Sequence, residues 1–465
     1  MRIFEDRQEM RIYLISIAVH LVFLLYVIIA FGNSGLVMMG DSPDYRNLAN
    51  GLIYHHTLVT VAVPDLIETT RLPGYPLFLS FFIFFNLPFV VASLFQILLV
   101  SWIPIMIMRI GKMAQLDSRV VFWAGLLTAV EPASVVYGVM LLPDGWTAFG
   151  FIMGFWALVS FFKNGSRRYL ILSAIVFGLM NYIRPVGLFL AIALCACIVV
   201  YGIWNERQEI KKHVTNSAIF GLVFFIVLCP WMIRNYMYYK HFSFASGIER
   251  QLYEITAVGV RSAAEHVSSE QMLFTMRDEV TPLLPEPRDL ASFKNSGILT
   301  RPALAIIFAH PVQYIRLYAL SLVTFFASGN YHYIAQVFRL LSPSSAFPSF
   351  TMLYATQGLW ATIKAAFSVV VHPYGALVIF GKLIWIALAV LTLTGMYLKR
   401  KDPAIRPILI TFLFVCLYMV VVIAHLTVGI EARHRLFLNP FYYLFTAISL
   451  HAMMGIFKNV TTNPK

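Results

Sequence analysis

Charged residues are scarce in this sequence. They make up 12% of its 465 residues, whereas soluble domains carry about 25%. Hydrophobic residues account for 59%, and apolar stretches of about 20 residues, long enough to cross a bilayer, recur along most of the chain. The composition therefore excludes a soluble globular protein. It predicts an all-α polytopic membrane protein, with the lipid bilayer as a partner.

Cysteine is scarce as well. The four cysteines all lie in apolar stretches, at Cys195, Cys197, Cys229 and Cys416. One residue separates the first two, which is the wrong spacing for the common zinc and redox motifs. No small-residue cleavage site follows the charged N-terminal residues and the first apolar stretch. We therefore expect buried, unreactive cysteines and a first helix that is retained.

Acidic residues are outnumbered by basic ones. The chain has 22 Asp and Glu against 35 Lys and Arg, which gives a net charge of +13. The basic residues cluster at alternate connections between apolar stretches, as the positive-inside rule describes for cytoplasmic loops. Membrane orientation thus explains the excess of basic over acidic residues, and no nucleic-acid partner is expected. The pattern predicts a cytoplasmic N-terminus, in a protein that we expect in the plasma membrane (the inner membrane of a bacterium). It places two long connections, 33–74 and 237–310, outside the cytoplasm.

The apolar stretches predict about 12 transmembrane helices. These lie at residues 12–31, 75–108, 119–138, 143–162, 169–183, 185–204, 216–235, 311–329, 353–371, 375–397, 405–427 and 436–456. The stretch 75–108 is too long for one straight span at about 1.5 Å per residue, and we expect a break at 86–88, Asn-Leu-Pro. The chain then divides into an N-terminal catalytic membrane module (1–236), a large loop (237–310) and a C-terminal membrane module (311–465).

Acids and arginines from distant parts of the chain collect on the predicted outer face. Ionisable residues at membrane depth are costly and tend to mark function. The pattern predicts one site at the outer membrane surface, with acids for proton chemistry and arginines for an anion. The residues concerned are Asp41, Asp44, Arg71, Glu131, Asp144, Arg184, Arg234, Arg433 and Arg435.

Six strings that contain or adjoin these residues carry a family resemblance. In order they are G-D-S-P-D-Y-R-N-L-A, R-L-P-G-Y-P-L-F-L, L-L-P-D, R-P-V-G-L, P-W-M-I-R-N-Y and R-H-R-L-F-L-N-P. Together they resemble the GT-C glycosyltransferases, in the branch that contains protein O-mannosyltransferases and the lipid A aminoarabinose transferase. The likeness is sharpest from about residue 38 to 236. It implies a GT-C-like fold and a hexosyl- or pentosyltransferase.

The resemblance also implies the partners. Such enzymes take a polyprenyl-phosphate-linked sugar as donor and act at the non-cytoplasmic membrane face. The acceptor would be a hydroxyl of an envelope glycan, lipid or protein, attacked with inversion at the anomeric carbon. The family's first-loop acid, four residues before a tyrosine, falls on Asp41, because Tyr45 follows at that spacing.

Metal dependence is not favoured, and no cofactor is expected. Many relatives carry a second acid directly after the first, but this chain has Ser42 there and its next acid is Asp44. Adjacent carboxylates are the more natural start of a cation site. The adjacent histidines His55 and His56 rarely face one ion. A divalent metal remains possible.

The chemistry independently asks for these residue types. A base that deprotonates the acceptor contributes about 10²–10⁴-fold. The leaving phosphate is already a stable anion, so it needs cations more than a general acid, and arginine suits it. We predict Asp41 and Asp44 as the catalytic residues. Substrate-binding roles are predicted for Arg71, Tyr75, Asp144, Arg184, Arg433 and Arg435, and supporting roles for Tyr45, Glu131 and Arg234.

Each assignment has a structural alternative. Asp41 precedes Ser-Pro and fits the N-cap of a short helix, a role compatible with catalysis. Asp44 is its neighbour or its substitute as the base. Asp144 either contacts substrate or caps the helix after Pro143, and Glu131 suits a buried structural acid. The arginines alternatively snorkel to the interface or anchor helix ends.

Two other classes of protein share the general architecture. A transporter or flippase has a similar number of spans but carries its polar residues near the bilayer midplane, with symmetry between halves. A ligase or polymerase of lipid-linked glycans shares the outer face and the arginines. Transfer of the sugar to an acceptor distinguishes the glycosyltransferase from bare translocation of the lipid.

Overall fold

The computed structural model describes residues 4–60, 63–205, 207–327, 329, 334–335, 337–339, 350–371, 375–423 and 432–462. Nearly all of the regular structure is helical. The α-helices are Arg7–Phe31, Ser42–Tyr54, Gly74–Phe84, Phe89–Val100, Ile103–Met113, Ser118–Ala129, Pro132–Val139, Asp144–Asn164, Arg167–Ile183, Leu190–Asn205, Ile210–Tyr239, Ile248–Gln251, Val258–Glu265, Ser269–Val280, Thr300–Ala309, Pro311–Ala327, Phe350–Val371, Gly375–Lys399, Arg406–Ile423 and Asn439–Thr462. Short 3₁₀ or π segments lie at Asn33–Val37, Pro185–Gly187, Arg207–Glu209, Leu252–Ala257, Thr281–Leu283, Phe293–Asn295 and Ala432–Leu438.

These helices confirm an all-α polytopic membrane protein. Five helices of the described residues are long and apolar enough to cross a membrane, and seven qualify if two bent pairs each count as one span. Of three shorter apolar helices, Leu190–Asn205 and Arg406–Val422 coincide with other predicted spans, and Gly74–Phe84 is the first part of the stretch 75–108. The count of about 12 stays a prediction. The only strands in the described residues are Val59–Thr60 and Val63–Ile67, which pair antiparallel.

The predicted break in the second apolar stretch is confirmed. One helix ends at Phe84 and the next begins at Phe89, with Asn86 in the left-handed region at φ 53°. A second break was not predicted. The expected span 119–138 consists of two helices that meet at 51°, because Pro132 lacks an N–H and starts the second one.

The main core joins the first half of the chain to the last helix. Aromatic residues of Asp144–Asn164 pack against the last helix and the turn before it, with Phe155 and Phe441 4.2 Å apart and Phe151 and Phe437 4.5 Å apart between ring centroids. All four side chains are buried. This packing brings the segment before the last helix to the membrane module formed by the first half.

The two long connections are folded and contact each other. The first contains the helix Ser42–Tyr54 and the strand pair, and the second has its own small core, which includes Tyr253 and Met276. Ser246 Oγ and Thr69 Oγ1 lie 2.7 Å apart, and the backbone N–H of Ser246 donates to Thr69 O at 3.0 Å. The division at 236/237 and 310/311 stays a prediction. The helix Ile210–Tyr239 continues three residues past the first boundary.

Candidate active site

A tight turn presents Asp41 at the start of the helix Ser42–Tyr54. Gly40 has φ +49°, a conformation that glycine adopts without steric cost, and a Cβ there would lie 3.5 Å from Arg433 Nη1. Asp41 occupies the N-cap position, but its side chain makes no capping hydrogen bond. Capping therefore does not occupy this carboxylate.

Asp41 lies between two arginines without a close bond to either. Its Oδ1 is 3.6 Å from Arg71 Nη2 and its Oδ2 is 3.5 Å from Arg433 Nη1. These separations exceed those of charge-assisted hydrogen bonds, which are about 2.7–2.9 Å. The side chain is 36% exposed. Asp41 thus stays beside positive charge while its oxygens remain available to another partner.

Asp44 is engaged more tightly. Arg71 Nη2 donates to its Oδ2 at 2.6 Å, and Asp44 is 52% exposed. Glu68 lies on the other side of the same guanidinium, with its Oε2 3.6 Å from Arg71 Nη1, and its Oε1 accepts from the backbone N–H of Arg71 at 3.1 Å. Burial acts to lower the pKa of Arg71, but the Glu68, Asp44 and Asp41 carboxylates outweigh it and raise that pKa. Arg71 is therefore a fixed cation.

Asp144 and Arg184 form a second, more buried pair. Arg184 Nη1 donates to Asp144 Oδ1. The Asp144 side chain is 3% exposed and that of Arg184 is 19% exposed. The other carboxylate oxygen of Asp144, Oδ2, is buried and accepts no hydrogen bond from the described residues. Asp144 opens the helix Asp144–Asn164, so its charge also favours that helix N-terminus.

A cavity of about 530 Å³ gathers these groups. Its charged lining consists of Asp41, Arg71, Arg184, Arg250, Glu254, Arg277 and Arg433. Ligand sites typically measure about 300–1,000 Å³. Five arginines against two carboxylates make the lining strongly cationic. Asp144 lines a smaller recess, together with Arg184 and Arg433.

Tyr45 lies beside this charged group, and its supporting role stays a prediction. Its side chain is 6% exposed, and its ring lies 5.9 Å from Arg71 Cζ. Burial raises the pKa of Tyr45 to about 12, with Arg184 and Arg71 opposing the shift and Asp41 and Asp144 adding to it. The phenol is therefore protonated at neutral pH.

Two residues that were predicted to bind substrate are buried and make contacts within the protein. Tyr75 is fully buried and donates its hydroxyl to Gln96 Oε1 at 2.9 Å. Arg435 is fully buried too, with its guanidinium 3.9 Å from the Trp385 ring and donating to the carbonyl of Phe325. Neither is among the residues that line the cavity. Their substrate-binding role stays a prediction, and the contacts of these two side chains do not support it.

Two predicted supporting residues make local structural contacts. Glu131 is buried and caps the helix Pro132–Val139, its carboxylate accepting from the backbone N–H groups of Ala133 and Ser134 at 3.1 and 2.5 Å. Arg234 bonds Asn235 Oδ1 at 2.8 Å and lies 4.6 Å from the Trp231 ring. A supporting role at the site stays a prediction for both.

Sequence reasoning missed three charged residues of the cavity lining. Arg250, Glu254 and Arg277 come from the second long connection. The four-residue spacing of Arg250 and Glu254 on a helix was the one available signal. Arg277 is 23 residues further on, so only the tertiary fold brings it to them. The histidine between the two last predicted arginines, His434, also lines the cavity.

Metal binding gains no candidate from the geometry. Among the described residues, no three His, Cys, Asp or Glu side chains are placed to hold a metal ion together. Ser42, the residue after Asp41, is fully buried at the first turn of its helix. Independence from a metal stays a prediction.

The fold and the cavity define a class of protein: a multi-pass membrane protein with a cationic site that contains an available carboxylate. Residues 72–233 match the model of the family described as dolichyl-phosphate-mannose-protein mannosyltransferase. This match, over about a third of the chain, confirms the resemblance to GT-C glycosyltransferases and indicates a membrane glycosyltransferase. The matched segment includes Asp144 and Arg184, whereas Asp41 and Arg71 precede it. No curated protein sequence matches the chain.

Proposed function

We propose that this protein transfers a sugar from a polyprenyl-phosphate donor to a hydroxyl of an envelope glycan, lipid or protein. Transfer takes place at the extracytoplasmic face of the plasma membrane, which is the inner membrane in a bacterium. The observation that carries the proposal is the cavity itself, in which Asp41 lies beside Arg71 and Arg433. The family match to residues 72–233 supports the donor class.

Asp41 is the base in this proposal. The acceptor oxygen attacks the anomeric carbon, the bond from that carbon to the phosphate oxygen breaks, and its electron pair leaves with the phosphate. The acceptor proton passes to an Asp41 oxygen. Of the acids predicted to be catalytic or substrate-binding, Asp44 already accepts a 2.6 Å hydrogen bond and Asp144 is nearly inaccessible, whereas Asp41 is available.

Arg71, Arg184 and Arg433 hold the donor phosphate. Each lines the cavity and each is already beside a carboxylate, so their positions are fixed before substrate arrives. A guanidinium offers several N–H donors in a planar fork, which matches the oxygens of a phosphate. Such preorganised cations stabilise charge that develops on the leaving group. The attack comes from the opposite side, which gives inversion.

The decisive experiment uses the purified full-length chain in proteoliposomes. We would supply polyprenyl-phosphate-linked mannose with a radiolabelled sugar, then other hexose and pentose donors, together with fractionated envelope acceptors. We expect label to move to an acceptor with release of polyprenyl phosphate. Acceptor-independent movement of intact donor across the bilayer would instead indicate a flippase. Lengthening of a lipid-linked glycan would indicate a polymerase or ligase.

A further inference from the structure

The second long connection carries a cation pair that the proposed reaction does not use. Glu254 lies in the π-helical turn Leu252–Ala257 and is 9% exposed. Its Oε2 accepts from Arg250 Nε at 2.5 Å and its Oε1 accepts from Arg277 Nε at 2.5 Å. Such π-helical turns are rare and are frequent at functional sites. All three side chains line the large cavity.

Most of the binding capacity of these arginines is left over. A guanidinium has five N–H donors. In the described part of the chain, Arg250 and Arg277 each donate only their Nε to Glu254. The two side chains are 43% and 38% exposed, and the three groups together carry one net positive charge. One buried carboxylate therefore orients two guanidinium groups whose terminal nitrogens remain available for an oxyanion.

The position of Arg250 connects this pair to a second space. A cavity of about 260 Å³ adjoins the large one, and Gly247 and Arg250 line both. The smaller cavity is rich in hydroxyl groups, among them those of Ser243, Ser246 and Ser292. Hydroxyl and backbone groups of this kind suit hydrogen bonding to a polar, polyhydroxylated molecule. A ligand that extends from this space toward Asp41 passes Arg250.

We propose that Arg250 and Arg277, oriented by Glu254, form a second oxyanion site that binds a phosphate or carboxylate group of the acceptor. This proposal rests on the proposed function, in which Arg71, Arg184 and Arg433 already serve the donor phosphate. The acceptor is accordingly an anionic glycan or glycolipid. The arginine pair fixes the anion while the acceptor hydroxyl reaches Asp41.

The test measures binding rather than transfer, so that its failure is separate from failure of the proposed function. Polyprenyl phosphate serves as the probe of the donor site and inorganic phosphate as the probe of the second site. Phosphate binding is titrated by calorimetry on the full chain saturated with polyprenyl phosphate. The titration is repeated for the variant R250Q/R277Q and for the matched control R261Q. Arg261 belongs to the same connection but pairs with Glu265 and Glu279, and it is not among the lining residues.

We expect the lipid-saturated wild type and R261Q to bind phosphate equally, and R250Q/R277Q to bind it about tenfold more weakly or worse. All three should bind polyprenyl phosphate with the same affinity. Two outcomes overturn the proposal. Equal phosphate binding by wild type and R250Q/R277Q would remove the second site. Loss of polyprenyl phosphate affinity in R250Q/R277Q would assign the pair to the donor phosphate.

Removing both arginines leaves the buried Glu254 carboxylate without partners, which is destabilising. The variant R250Q/E254Q/R277Q removes the whole charged group and keeps its shape. It should fold and show the same loss of phosphate binding as R250Q/R277Q. The variant R250K/R277K keeps the charges without the planar fork and should bind phosphate with intermediate affinity. If R250Q/E254Q/R277Q bound phosphate as tightly as the wild type does, that result would also contradict the proposal.

Discussion

Two clusters of acidic and basic side chains, around Glu9 and around Asp41, contain the same residue types. They differ in how many close hydrogen bonds the central carboxylate accepts. Glu9 is fully buried, and its carboxylate accepts from Arg109 Nη2 at 3.0 Å and Lys112 Nζ at 2.6 Å. Asp41 is 36% exposed and has arginines only at 3.5 and 3.6 Å. The first cluster uses its charges to join the first helix to Ile103–Met113. The second leaves a carboxylate available, which is what a reacting group requires.

The substitution Asp41→Asn should have the largest effect on activity and thereby distinguish the Asp41 cluster from the Glu9 cluster. We expect it to reduce transfer by about 10²–10⁴-fold, because the amide cannot take the acceptor proton. Affinity for polyprenyl phosphate and the unfolding temperature should stay close to those of the wild type. Initial rates of transfer at saturating donor provide the measurement. The matched control is Asp278→Asn, at an exposed position of the second connection, which should keep full activity.

The comparison with Asp44→Asn decides between the two acids. That variant should lose much less activity than Asp41→Asn, because Asp44 acts by holding Arg71. A near-normal rate for Asp41→Asn together with an inactive Asp44→Asn would exchange their roles.

Glu9→Gln tests the buried cluster. It removes the buried negative charge beside the Arg109 guanidinium, which is 4% exposed, and removing one charge of such a pair typically costs about 3–5 kcal/mol. We expect a lower unfolding temperature in detergent, followed by tryptophan fluorescence, and unchanged transfer per folded molecule.

The double variant Glu9→Leu/Arg109→Leu is the companion measurement. It should recover most of the lost stability, because replacing a whole buried pair with apolar residues is often neutral. If it is as unstable as Glu9→Gln, the loss reflects packing and not an uncompensated charge.

Arg433→Ala should affect the open cluster more moderately. A hydrogen bond to a charged group contributes about 1.5–3 kcal/mol, so we expect affinity for polyprenyl phosphate to fall about tenfold or more. Equilibrium binding of the lipid measures the effect, and Arg168→Ala, at an exposed position, is the control. Unchanged affinity in Arg433→Ala would remove this residue from the donor site.

The contact between the two long connections should depend weakly on acid. Arg288 Nη1 donates to Asp65 Oδ2 at 2.8 Å, and this hydrogen bond lowers the pKa of Asp65. A carboxyl whose pKa is lowered by folding stabilises the folded state at pH values above its ordinary pKa, near pH 4. This stabilisation is lost as the pH falls through the pKa that the carboxyl has in the folded protein. Hydrogen exchange in residues 63–67 should therefore speed up below about pH 4 in the wild type. In Arg288→Gln that acid-induced change should be smaller, and an identical response would exclude the pair as its source.

Local patterns predicted the parts of the site that depend on neighbours in the chain. Asp41 and Asp44 follow the first helix at the start of a short one, and Asn86–Pro88 breaks the second apolar stretch. These features follow from turn chemistry and from the length of apolar runs, which act over a few residues.

Long-range packing was not readable in the same way. Arg435 is two residues from Arg433, yet it is buried against Trp385 while Arg433 contacts Asp41. Arg277 has no local pattern that connects it with Arg250. Which of two nearby arginines faces a cavity depends on what packs on the other side of the chain.

Composition, apolar length and the order of short strings thus predicted an α-helical membrane glycosyltransferase, and the predicted site includes four of the seven charged residues that line the cavity. Tertiary structure decided the rest. It determines which carboxylate stays available and which arginines are buried in the core, and it brings the cation pair of the second connection to the cavity. The reason is physical. A residue type sets what chemistry a side chain can perform, whereas burial and the partners within about 3 Å set whether it is still available to perform it.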